Sequence, residues 1–331
     1  KYRRQSWSLA EAKFQTCRKE EIMKIVFMGT PDYAVGALEA LIRAGHEITA
    51  VVTQPDKAKG RSGNLQYPPV KECALAHGIS VFQPERIKRP EAVAQLRTYE
   101  ADVFVVAAFG QILSREILEM PAYGCLNIHA SLLPRYRGAS PIQHVIIDGE
   151  ERTGITIMQM DTGIDTGDIL YTKEMSIDRQ DTCQTLYGKL TALGGQAIVE
   201  ALELLQQGAL TPEKQRDEDS CYAPIITKEM GRIDFAKDAL SIERLIHGMN
   251  PWPSAYTFYQ GKQLKIWDAL AQEDVSDTEP GTIVSVDRQD FTVATGRGSL
   301  RALEVQLEGK KRMSAHDFLL GVRLTPGEKL G

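Results

Sequence analysis

The sequence predicts an α/β protein: an open, doubly wound sheet layered with helices, followed by a small β-barrel. Three observations carry this. Buried-type strands alternate with amphipathic helices from Met23 to about Leu205, the stretch Gln206–Ala223 turns polar, and short strands separated by Gly- and Asp-rich turns fill the remainder. With 331 residues, 43% hydrophobic and 25% charged, the chain has room for two ordinary globular cores. That composition excludes wholesale disorder, a coiled coil and a collagen-like repeat. No apolar run approaches the roughly 18 residues of a membrane span, so no membrane partner is expected.

The leader 1–22 stands apart from the rest of the chain. It holds six basic and three acidic residues, lacks the apolar core of a secretory signal, and does not begin with Met. Lys19-Glu20-Glu21 can be encoded AAG-GAG-GAG, a purine-rich sequence like a bacterial ribosome-binding site just ahead of Met23. The expectation is a mis-called or disordered leader, with the working protein starting at Met23.

The run Lys24–Met28 reads as a strand buried on both faces. Pro31 and Asp32 suit a helix start, and Ala34, Leu38, Leu41 and Ile42 form its stripe until Gly45 ends it. Ile48–Thr53 is a second strand. A basic loop comes after it, Pro55–Leu65, long enough without structure to be functional. A helix over Val70–His77, a strand at Ile79–Phe82 and a helix near Pro90–Tyr99 come next. Asp102–Ala108 is the most apolar strand, and Cys125–His129 is another. This is the Rossmann-like pattern, which binds ligands beyond the carboxyl ends of its strands. A dinucleotide site does not fit. In Gly29-Thr30-Pro31-Asp32-Tyr33-Ala34 the second and third glycine places hold Pro31 and Ala34, and proline offers no N–H to a pyrophosphate.

Strand alternation puts Asn127 and His129 on one face at a strand end, where an amide and an imidazole could both donate to a developing oxyanion. A satisfied structural histidine is the plain alternative. After the strand Gly154–Met160 comes an acidic, glycine-rich loop with Asp161, Asp165 and Asp168. It lacks the terminal Glu of an EF-hand, which argues against calcium. A carboxylate from it near His129 could fix the ring's tautomer and pass protons.

Together with AAFGQILS (Ala107–Ser114), the segments NIHASLLP (Asn127–Pro134) and MDTGIDTGD (Met160–Asp168) resemble the 10-formyltetrahydrofolate-dependent formyltransferases. The resemblance is strongest to the members that act on initiator methionyl-tRNA. GTPDYA, TQPDKAKGR, PRYRGASPIQ, GRIDF, NPWPSAY and GKKRMSA extend it from residue 23 nearly to the end.

The resemblance implies that Asn127, His129 and Asp165 form the catalytic group. The methionine α-amino group would attack the formyl carbonyl. Asn127 and a protonated His129 would stabilise the oxyanion of the tetrahedral intermediate, while Asp165 holds His129 and relays protons through a water. The folate would lie against Phe109, Gln111, Ile112, Leu113, Ser131, Leu132, Leu133, Pro134 and Asp161. No metal is needed. The loop with Lys57, Lys59 and Arg61 would enter the tRNA acceptor stem. There the chain departs from the family, since Ser62-Gly63-Asn64 stands where lysines are common. A bacterial, cytoplasmic monomer working in translation initiation is expected.

A long helix reads from about Cys183 to Leu205. The expected domain bounds are 23–206 for the catalytic part, 207–226 for a linker and 227–331 for an OB-like domain. The last has a helical stretch near Ser241–Met249 and strands at Ala255–Tyr259, Gln263–Ala269, Gly281–Asp287, Phe291–Ala294 and Leu300–Gln306. Its basic cluster Lys310-Lys311-Arg312 is a candidate for phosphate contact. The five cysteines (Cys17, Cys73, Cys125, Cys183, Cys221) show no CxxC spacing and fit a reducing cytoplasm. The net charge of −5 gives no hint of a polyanionic partner, so local clusters matter more than the total. Transfer to an amino-sugar nucleotide or to glycinamide ribonucleotide, and non-catalytic tRNA binding, remain as alternatives.

Overall fold

The structure is a computed structural model that describes residues 22–59, 64–274 and 278–331. The leader 1–21, Arg61 and Ser62-Gly63 lie outside the described residues.

The first half alternates as the pattern predicts. In chain order it runs β1 (Lys24–Gly29), α1 (Asp32–Arg43), β2 (Glu47–Val52), β3 (Lys57–Lys59), β4 (Asn64–Gln66), α2 (Pro69–Ala76), β5 (Val81–Phe82), α3 (Pro90–Arg97), β6 (Val103–Ala107) and α4 (Arg115–Leu118). Then come β7 (Cys125–His129), β8 (Arg137–Gly138), α5 (Pro141–Ile147), β9 (Arg152–Gln159), β10 (Ile169–Ser176) and α6 (Cys183–Gln206). Seven strands form one sheet in the order β10-β9-β7-β6-β1-β2-β5. The five from β5 to β7 are parallel, whereas β9 and β10 run antiparallel.

Period-2 alternation divides the sheet's side chains between two cores. Ile25 and Phe27 pack with α1 and α6 on one face. Val26 and Met28 pack with Val93, Leu96 and Ile117 on the other. α1 lies close against α6 because a Cβ on Gly195 would sit 2.9 Å from the Gly36 carbonyl. α6 opens with a reciprocal cap in which Thr182 and Thr185 satisfy each other's backbone N–H groups.

The loop expected at 55–65 is not structureless. β3 and β4 pair antiparallel as a short hairpin. At its base Lys71 meets Asp56 at 2.6 Å, and Gln83 donates to Asp56 at 2.8 Å. These partners hold the Asp56 carboxyl below the usual range, Gln83 contributing first and Lys71 next.

The second half holds β11 (Tyr222–Ala223), α7 (Ala239–Gly248), β12 (Ala255–Tyr259), β13 (Lys262–Gln272), β14 (Ile283–Val286), β15 (Phe291–Ala294), β16 (Ser299–Leu307), β17 (Met313–Ser314) and α8 (Ala315–Gly321). The strands from β12 to β16 form an antiparallel sheet in the order β12-β13-β16-β15-β14, with β17 on β16. Ile242, Ile246, Leu264, Phe291 and Phe318 fill its core. α7 packs on α5 of the first half, where a Cβ on Gly248 would lie 2.5 Å from the Ile147 side chain.

The polar stretch after α6 is stitched to the first half. Ile169 and Glu213 exchange both backbone hydrogen bonds at 2.8 Å, and β11 pairs in parallel with β8.

Candidate active site

β7 delivers Asn127 and His129 to the same side of the sheet. Asn127 is half-buried, and its amide has no hydrogen-bond partner among the described residues. His129 is 6% exposed, and its Nε2 lies 2.8 Å from the Tyr136 carbonyl oxygen. A carbonyl can only accept, so Nε2 carries a hydrogen and Nδ1 is the nitrogen left for proton exchange. Nδ1 faces Asp165 Oδ2 at 3.6 Å, within ion-pair range but longer than a hydrogen bond.

The carbonyl that fixes His129 is itself fixed. Tyr136 sits at φ 59°, a left-handed conformation uncommon outside glycine. Its N–H donates to Cys221 Sγ at 3.2 Å and its hydroxyl donates to Glu150 at 2.9 Å. Burial first, then Glu150, pushes the Tyr136 phenol well above its ordinary range, so it remains a donor. The turn before it is pinned by Thr156, which donates to the Ser131 carbonyl at 2.7 Å and accepts the Leu133 N–H at 3.1 Å.

Asp165 also has left-handed backbone, at φ 54°. Its Oδ2 accepts the Gly138 N–H at 2.8 Å. Gly138 is at φ 109°, and a Cβ there would lie 2.6 Å from the Tyr222 ring, so only glycine brings that N–H to the carboxylate. Asp161 serves its own turn instead. Its Oδ1 accepts the Gly163 N–H at 3.0 Å and the Thr166 hydroxyl at 2.8 Å. An open cleft of about 620 Å³ lies beside it, lined by Tyr123, Gln159, Met160 and Thr162, and Asn127, His129 and Asp165 are not among its walls.

Beyond β6 the turn 109–113 divides its residues. Phe109 and Leu113 are buried in the core beneath. The Phe109 carbonyl accepts from Thr30 at 3.0 Å and Gln54 at 3.1 Å. Gln111 is spent on the neighbouring loop, accepting the Ile87 N–H at 2.7 Å and donating to the Pro84 carbonyl at 3.1 Å. Ile112 is 69% exposed. The main-chain groups of Gly110–Leu113 make no hydrogen bonds to the described residues, which leaves a row of donors and acceptors open. Of the Ser131–Pro134 turn, Ser131 and Leu133 are buried, while Leu132 and Pro134 are partly exposed.

The structure therefore brings His129 and Asp165 together and carries Asn127 two residues before His129 on the same strand. Among the other candidates, Gln111 and Asp161 have protein partners, and Phe109 and Leu113 are core. Lys57 is exposed at the hairpin base; Lys59 belongs to the same strand. Lys310 and Lys311 are exposed. Arg312 is engaged: it pairs with Glu304, and its guanidinium stands 4.5 Å over the Trp267 ring. No group of three or more metal-ligating side chains occurs among the described residues. Sequence reasoning missed Tyr136, Gly138 and Gln215, whose amide donates to the Asp165 carbonyl at 2.8 Å. A tyrosine, a glycine and a glutamine in polar stretches carry no periodic signal.

The family model described as formyl transferase matches residues 23–202, and that of the formyl transferase C-terminal domain matches 225–323. The methionyl-tRNA formyltransferase of Lachnospira eligens is 52% identical over 314 residues, covering 93% of this chain and 100% of the relative. Among solved structures, the methionyl-tRNA formyltransferase from Clostridium thermocellum aligns with a TM-score of 0.55 at 17% identity, over 86% of this chain and 99% of that one. WlaRD, a sugar 3N-formyl transferase solved in the presence of dTDP and 5-N-formyl-THF, aligns at 0.63 with 20% identity, over 88% of this chain and 100% of that one.

Proposed function

The chain belongs to the formyl transferase family, and from that premise we propose that it formylates the α-amino group of methionine on initiator methionyl-tRNA, using 10-formyltetrahydrofolate. The carrying observation is the commitment of His129 Nε2 to the Tyr136 carbonyl, which turns Nδ1 toward Asp165.

The folate, when bound, supplies an activated formyl carbonyl. Asn127 donates its N–H to the carbonyl oxygen as charge grows there, and His129 in its protonated form donates through Nδ1. Asp165 keeps the imidazole oriented and relays the proton shed by the attacking amine, through a water, to the folate nitrogen, which leaves as its bond to the formyl carbon breaks. The open main-chain edge of Gly110–Leu113 suits a flat heterocycle with its own donors and acceptors, and Ile112 and Leu132 offer apolar cover. Phe109, Leu113, Ser131 and Leu133 support these surfaces from below. Lys57, Lys59, Arg61, Lys310 and Lys311 meet tRNA phosphates.

The free thiols of Cys73, Cys125, Cys183 and Cys221 fit work in a reducing cytoplasm. A single chain carries all three site residues, so a monomer suffices.

The test is formyl transfer from 10-formyltetrahydrofolate to methionyl initiator tRNA, run beside elongator tRNA, an amino-sugar nucleotide and glycinamide ribonucleotide. Preferential formylation of the initiator tRNA is expected. Transfer only to a sugar nucleotide or to glycinamide ribonucleotide would reassign the substrate, and tRNA binding with no folate consumed would make the protein a non-catalytic binder.

A further inference from the structure

Gln215 lies between the two spans matched by the family models, in the polar stretch that leaves α6. Its side chain is fully committed. Nε2 donates to two carbonyls of the acidic loop, Asp165 at 2.8 Å and Gly167 at 2.7 Å. Oε1 accepts Arg137 Nε at 2.9 Å. The amide can take only one orientation, because carbonyls cannot donate and a guanidinium cannot accept. Arg137 is in turn held by Asp217 at 2.9 Å, two residues further along the same stretch.

Asp165 is thereby gripped from two sides by one strap. Gln215 clamps its left-handed backbone through the carbonyl. The pairing of Tyr222–Ala223 with Arg137–Gly138 sets the Gly138 N–H that its carboxylate accepts. Without the clamp, a non-glycine residue at φ 54° has little reason to stay there, since that region is costly for residues with a Cβ.

We propose that Gln215, oriented by Arg137, is a positioning residue that acts through Asp165. It makes the polar stretch between the lobes a working part of the site. This rests on the functional reading above. The Gln215 side chain bonds Arg137, Asp165 and Gly167, not His129 or Asn127, so its effect passes through the placement of the Asp165 carboxylate.

The test compares Gln215→Met, of similar size but unable to donate, with the wild-type chain. The kcat for formyl transfer should fall by between about 10-fold and 100-fold, the range a misplaced proton carrier brings. The KM for tRNA should not change, while the thermal midpoint should fall modestly because Arg137 and two carbonyls lose their partner. In an Asp165→Asn background the same substitution should cost nothing further, because both remove one element. Hydrogen exchange at the Gly138 amide, measured without substrate, should speed up. An unchanged kcat, a loss that multiplies with Asp165→Asn, or unchanged exchange at Gly138 would each overturn the proposal. If the wild-type chain transfers no formyl group, the functional reading falls instead, and the exchange experiment still decides whether Gln215 holds the loop.

Discussion

Arg179, in the turn before α6, grips Glu243 of α7 with both ends of its guanidinium, at 3.1 and 3.2 Å. The carboxylate is only 2% exposed and also accepts the Ala271 N–H at 2.5 Å, so the pair ties the catalytic lobe to the second lobe. Arg179 itself is 65% exposed, which keeps its Coulombic share small. Arg179→Ala should therefore cost only about 1 kcal/mol in urea unfolding. Glu243→Ala also strips the Ala271 N–H of its acceptor and should cost about 2–3 kcal/mol.

On the proposed mechanism, Asn127→Ala and His129→Ala would each remove one donor to the developing oxyanion. Each should lower kcat by on the order of 10² to 10³ in steady-state formylation. The Asn127 amide has no hydrogen-bond partner among the described residues, so Asn127→Ala should leave the thermal midpoint in place. Wild-type turnover in either variant would remove that residue from the chemistry.

The basic residues of the second lobe should separate by role. Lys310→Ala and Lys311→Ala should weaken tRNA binding, each lowering the slope of log affinity against log salt by roughly one. Arg312→Ala should act mainly on stability, because Glu304 and the Trp267 ring already engage its guanidinium. A salt titration of binding and a melting curve distinguish the two outcomes. Arg61→Ala should weaken use of tRNA and leave folate binding unchanged. An equal loss of both would indicate a folding defect.

Alkali should destabilise the protein through its buried thiols. Burial pushes Cys125 up to about 12 and Cys183 up to about 11, from an ordinary value of 9.0. A raised native pKa gives stability that is present below the unfolded value and lost as pH climbs toward the native one. From pH 9 upward each thiol should thus remove about 1.4 kcal/mol per pH unit, ending near the native value. Urea midpoints measured between pH 8 and 10.5 should show this fall, and Cys125→Ala should make it about half as steep, Cys183 supplying the rest.

The sequence disclosed those elements whose burial writes a periodic pattern. Cys125–His129 and Phe291–Ala294 match their expected bounds because both are apolar runs closed by turn residues. β10 gives only a faint alternation, being an edge strand with Lys173 and Glu174 among its residues, and periodicity does not reveal it. The hairpin of Lys-Ala-Lys and Asn-Leu-Gln forms by backbone pairing, for which these side chains carry no signature. At the site, the segments bring Asn127, His129 and Asp165 forward as candidates. What Asp161 and Gln111 do is not legible in them, because a polar side chain's partner depends on tertiary neighbours that spacing along the chain does not encode.

The pairing of Tyr222–Ala223 with Arg137–Gly138 also bears on how this protein could be taken apart. The end of α6 looks like a natural place to cut, since the compact sheet-and-helix body is complete there. Yet the stretch from Glu213 to Ala223 supplies part of the floor on which the acidic loop rests. A transplant that exchanges the second lobe, or a minimal enzyme trimmed to the first, must carry that strap with the catalytic body. The portable module ends at the strap, some way past the last helix of the sheet.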